Sequence, residues 1–151
     1  MSKGHCSVLV FGLVLAVSHA ADRAPSPFGP MTLDDQHPQS CTAIARKLLP
    51  LDAEVLTVIV AGVENPRRGP VTIAVSLETT TAQHEIARFT LYPPDQPGTF
   101  RFRLDGTARQ LLAAKTPPQF CSRLMEQQGG DDDRTAVRRV RLGDPRFERA
   151  D

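Results

Sequence analysis

The chain has 151 residues, 40% hydrophobic and 23% charged, with 18 basic against 17 acidic side chains and a formal net charge of +1. Near-neutrality leaves no global field to recruit nucleic acid or an anionic membrane. The length suits one domain able to bury its own core. Arginine far outnumbers lysine among the basic residues, and alanine and proline are frequent, as in proteins of GC-rich bacterial genomes.

The first twenty residues read as a secretory signal. Lys3 and His5 give a positive start, Val8 to Val17 is an apolar run, and Ser18-His19-Ala20 is a small-residue exit. A run of about ten residues is too short to cross a hydrocarbon core, so cleavage between Ala20 and Ala21 is expected rather than anchoring. Cys6 precedes the apolar run, where a lipid-acceptor cysteine would not stand. Losing Lys3 lowers the basic count from 18 to 17, equal to the acidic count. The expected product is secreted or periplasmic, with no membrane insertion after signal removal and no nucleic-acid partner.

Residues 21–40 hold Pro25, Pro27, Pro30 and Pro38 among polar residues, which predicts an extended, flexible leader. Ser40 then caps a predicted short helix, Cys41 to Leu49, with Ile44, Ala45, Leu48 and Leu49 at helical spacing and Pro50 as its stop. Glu54 to Val63 is β-branched and apolar on both faces, as in a central strand. After the turn Asn65 to Pro70, Val71, Ile73, Val75 and Leu77 alternate with smaller or polar residues, the period of a strand with one buried face. His84 to Leu91 makes a third strand. Pro93 to Gly98 turns the chain, and Phe100, Phe102 and Leu104 alternate in a fourth.

Asp105 is placed to cap a helix reaching Ala114, with Ala108, Leu111 and Leu112 as its apolar stripe. Phe120 to Glu126 fits strand or helix, and strand is preferred because Gln128 to Asp133 reads as a loop into a last strand, Ala136 to Leu142. Residues 143–151 read as a polar tail. The sum is an all-β chain with minor α content: a small antiparallel β-sandwich over residues 41–142 with one or two short helices.

With Cys6 removed, Cys41 and Cys121 form an even pair in a chain sent to an oxidising compartment. A disulfide is the expectation. The rival, a metal or redox site, lacks a C-x-x-C motif.

The strand order from Val55-Leu56-Thr57-Val58-Ile59-Val60 through Val71 to Leu77, Ile86 to Leu91, Thr99 to Leu104 and the Leu111-Leu112 helix to a late strand is similar to a known module. It resembles the small β-sandwich that follows the catalytic domain in polyphenol oxidases and tyrosinase-like proteins, over about residues 54 to 142. In that family six histidines of a preceding helical domain hold the copper pair. This chain has four histidines in all and no helical domain, so the resemblance transfers no oxidase residue. It implies a covering or partner-binding β domain, with another exported protein as the partner.

Of the histidines, only His37 and His84 survive the expected cleavage. Asp34, Asp35 and His37 offer two carboxylates and an imidazole to a metal, but ligation from a flexible leader bears a full ordering cost. His84 beside Glu85 reads as a strand-surface residue. A metal-binding protein or small hydrolase built on His37, His84 and the acidic loop Asp131-Asp132-Asp133 is the alternative function. Against it, Ser40, Ser76 and Ser122 lie in no nucleophile-elbow context, and the acidic loop lacks calcium-loop spacing. No catalytic residue and no cofactor is assigned. Arg101 and Arg103 share one strand face and Arg139 and Arg141 another, a candidate basic surface if those strands are neighbours. Cross-strand pairing with Glu54, Glu78 and Glu85 is the competing expectation.

Overall fold

The computed structural model describes residues 31–50, 52–126 and 137–150. The expected signal segment, its expected cleavage site between Ala20 and Ala21, and Asp131 to Asp133, expected as an acidic loop, lie outside those residues. Among the described residues, nine strands and one α-helix follow in order: β1 (Met31–Asp34), β2 (Gln39–Ala43), β3 (Val55–Glu64), β4 (Thr72–Glu78), β5 (Gln83–Thr90), β6 (Gly98–Arg103), α1 (Gly106–Ala113), β7 (Gln119–Leu124), β8 (Arg139–Leu142) and β9 (Arg146–Glu148). Every pairing is antiparallel. The strands form two sheets, an all-β sandwich with minor α.

Sheet A runs β1-β8-β3-β6, and sheet B runs β2-β7-β4-β5. β3 is the axis of sheet A. One of its edges carries β6, and the other carries β8 against Val60–Glu64 and β9 against Val55–Thr57. Gly143 lies between these two partners, its amide donating to the Ile59 carbonyl at 2.8 Å.

The alternation read in the sequence is the alternation of the core. Ile73, Val75 and Leu77 of β4 and Leu56, Val58 and Val60 of β3 are almost fully buried. They face one another across the two sheets. Phe89 of sheet B stacks against Phe100 and Phe102 of sheet A with centroids at 4.3 and 5.2 Å, and Phe120 meets Phe147 edge-on at 6.4 Å. Such pairs add to the area term that drives burial. α1 closes one end: Asp105 Oδ1 accepts from the Ala108 amide at 2.7 Å as its N-cap, and Ala108 and Leu112 turn inward.

Four expectations differ from the structure. The leader is not flexible throughout, because residues 31–34 form β1, paired with β8, with Met31 and Leu33 buried. The helix Cys41 to Leu49 is absent. Residues 39–43 add to the edge of β7 as β2, and helical geometry survives only as a 3-10 turn, Arg46–Leu48. Helical spacing of Ile44, Leu48 and Leu49 lost to the ladder with β7, and of these only Ile44 is buried. The tail is not purely polar either: Arg146–Glu148 pairs with β3 and inserts Phe147, 7% exposed, into the core. The strand expected over Ala136 to Leu142 starts later, at Arg139.

Candidate binding surfaces

Cys41 and Cys121 are directly opposed on β2 and β7, with Cα atoms 4.1 Å apart, and are joined by a disulfide across 80 residues. Residues alternate across a strand, and Phe120 and Leu124 point to the core, so Cys121 and Arg123 point out. The bridge therefore lies on the outer face of sheet B, staples an edge strand to its neighbour, and sits amid a polar network. Glu78 Oε1 accepts from Gln83 Nε2 at 2.8 Å, Ser76 Oγ at 3.2 Å and Gln39 Nε2 at 3.3 Å. Gln39 Oε1 in turn accepts from Arg123 Nη2 at 2.7 Å.

Among the described residues, Cys41, Glu78 and Cys121 are the one group of three ligand-type side chains with atoms within 4.8 Å. The disulfide occupies both sulfurs. His37 and His84 belong to no such group among the described residues. His37 lies in the turn joining β1 to β2, where Asp34 Oδ1 accepts from the amides of Gln36 at 2.9 Å and His37 at 2.6 Å. The His37 amide bond, with lesser help from the Gln36 amide and the imidazole, holds the Asp34 carboxyl below its ordinary range despite some burial. His84 Nε2 lies 3.0 Å from both carboxylate oxygens of Asp105, the residue that caps α1. Asp105 is lowered as well, first by the Ala108 amide and then by His84. Each histidine thus meets a carboxylate already committed to holding backbone.

Asp35 performs a third such task. Its Oδ1 accepts from Arg138 Nη2 at 2.6 Å and Nε at 2.9 Å, and its Oδ2 from the Arg138 amide at 2.7 Å. Burial raises the Asp35 pKa, but these bonds outweigh it and the net shift is downward. Ser76 donates to Glu78, and Ser122 Oγ is buried with no partner among the described residues. Ser40 is half-buried on β2.

The four arginines of the candidate basic surface come together. Arg103 pairs with Val55, Arg101 with Thr57, Arg141 with Gly62 and Arg139 with Glu64, all on the outer face of sheet A with β3 between them. Arg146 of β9 joins the face opposite Thr57. The expected acidic partners were the wrong ones. Glu85 pairs with Arg88 of its own strand, Glu78 belongs to the sheet B network, and Glu54 lines a cleft. Instead Arg139 meets Glu64 at 3.2 Å and Arg101 lies 3.9 Å from Glu148. Arg146 was missed because a three-residue strand shows too little alternation to be read.

The cleft, of about 410 Å³, lies between the 3-10 turn and α1. Leu49, Pro50, Ala53 and Leu112 supply its apolar surface, and Glu54, Arg109 and Gln110 its polar groups. These three have no side-chain partner among the described residues. Arg46 also lines it, donating to the Ala114 carbonyl at the end of α1. Nothing in the sequence pattern marked it, since it forms only when residues 46–54 and 106–113 meet. Comparison of the chain with known protein families and with curated proteins finds no match.

Proposed function

We propose that the chain acts in an oxidising compartment as a non-catalytic β-sandwich that binds or covers another exported protein, a tyrosinase-like copper oxidase being the partner its strand pattern suggests. The observation that carries this reading is the cleft beside α1. It combines apolar surface with Glu54, Arg109 and Gln110, which have no side-chain partner among the described residues, as suits a binding cleft. None of the described residues that line it is a serine, cysteine or histidine. The surface disulfide and the expected signal agree with export.

The test is addition of the purified chain to the catalytic domain of a tyrosinase-like oxidase. Catechol oxidation should fall saturably as a 1:1 complex forms. Gly106 supplies the control, because a Cβ there meets nothing within 4 Å. Gly106→Tyr should fill the cleft and abolish the complex without lowering the melting temperature. Unchanged binding by that variant would remove the cleft from the account. Stoichiometric copper or zinc retained through dialysis, and lost in a His37→Ala, His84→Ala variant, would replace it with the metal-binding alternative.

A further inference from the structure

On the outer face of sheet A, arginines stand beside β3 near both of its ends, at Val55 and Thr57 and again at Gly62 and Glu64. From Val55 to Glu64 it spans about 30 Å, and the strands carrying Arg101 and Arg146 lie about 10 Å apart across it. Arg101 and Arg139 have the acidic neighbours already named. Arg103, Arg141 and Arg146 are exposed and have no acidic partner among the described residues. They stand beside Val55, Gly62 and Thr57 respectively, staggered along the strand over about 20 Å. Arg141 lies flat on the sheet, its Nη2 2.7 Å from where a Gly62 Cβ would be. Half-buried Val55 lies between Arg103 and Glu148, whose carboxylate accepts from the Thr57 hydroxyl, and half-buried Ile59 lies between Thr99 and Gly143.

We infer that this face is a second binding site, for a linear acidic polysaccharide laid along β3, its carboxylates taken by Arg103, Arg141 and Arg146 and its sugar rings by Val55 and Ile59. Guanidinium groups suit planar carboxylates, which they bind bidentately. A strip of staggered, unpaired cations on a flat face complements a chain with anions at intervals. Phe100 and Phe102 point into the core, so the face has no aromatic platform on which nucleic-acid bases stack. The exposed large hydrophobic residues among those described, Leu48 and Tyr92, lie on neither β3 nor its neighbours, so nothing on the face enters a bilayer. This ligand is distinct from the protein partner proposed above, and its failure leaves that reading standing.

The test is binding of the full chain to immobilised polygalacturonate, with neutral dextran as reference. Arg103→Gln/Arg141→Gln/Arg146→Gln should weaken binding about tenfold, the sum of three exposed ion pairs. Arg67→Gln/Arg88→Gln/Lys115→Gln removes the same charge elsewhere and should stay within about twofold of wild type. Gly62→Ala keeps every charge but displaces the Arg141 guanidinium, and should cost about threefold. Binding should weaken with added salt. Equal losses in the two triple variants would reduce the effect to net charge and overturn the site. So would retention no better than on dextran, or tighter association with phosphatidylglycerol vesicles or a single-stranded oligonucleotide.

Discussion

The two outer faces of the sandwich use their polar residues differently. On sheet B, Gln39, Ser76, Gln83 and Arg123 bond to Glu78 or to one another around the disulfide, and the network ties three neighbouring strands and the stapled edge. On sheet A, Arg103, Arg141 and Arg146 have no acidic partner among the described residues, although Glu64 and Glu148 are close at hand for Arg139 and Arg101. Polar groups bound to each other support the fold, whereas unpaired guanidinium groups at the surface add little to it and remain available to a ligand.

The largest effects belong to neither outer face. Ile73 is fully buried, and Ile73→Ala should cost about 2–5 kcal/mol. Its neighbour Thr72 faces out, with its hydroxyl 2.8 Å from that of Thr90, and Thr72→Ala should cost less than about 1 kcal/mol. Denaturant midpoints separate the two; equal midpoints would mean that the strand is misregistered. Next comes the staple of sheet B. Cys41→Ser and Cys121→Ser should each lose about 2–4 kcal/mol, and the double variant no more than either, since all three remove one bridge. Thiol titration of denatured, unreduced protein should find almost no free thiol.

Smaller again is the pair that anchors the turn between the sheets. The Arg138 side chain is only 11% exposed, so Asp35→Asn should cost about 1–2 kcal/mol at neutral pH. Because the folded pKa of Asp35 is depressed, its contribution is present above the ordinary value of 3.8 and fades as pH falls through the lower folded value. The gap between wild type and Asp35→Asn in urea melts should therefore begin to narrow below about pH 4 and close as pH falls through the lower folded value. A gap that persists undiminished in acid would remove the carboxylate from the explanation.

Much of the sandwich was legible because its long strands carry their own signal. In β4 three consecutive inward positions are Ile73, Val75 and Leu77, and in β6 Phe100 and Phe102 alternate with Arg101 and Arg103; either pattern suffices without a partner. The short strands carried none. β1 has two inward residues, Met31 and Leu33, and β9 has one, Phe147, so their strand character comes from the waiting edges of β8 and β3. At Cys41 a helical spacing was present and was overridden by a non-local partner. The arginines were visible from sequence, but not that β6 and β8 flank the same strand, nor which acids they meet. The cleft was invisible because its walls lie some 60 residues apart in the chain.

The contrast between the two outer faces is tested most directly by thermal melts of two variants side by side. Glu78→Ala removes the acceptor shared by Gln39, Ser76 and Gln83, a loss of about 1–1.5 kcal/mol, and should lower the melting temperature by about 4–6 °C. Arg103→Gln/Arg141→Gln/Arg146→Gln changes three residues instead of one yet should stay within about 2 °C of wild type. If the triple arginine variant melts as low as Glu78→Ala, the arginines of sheet A are holding the fold together, and the division of labour between the faces is wrong.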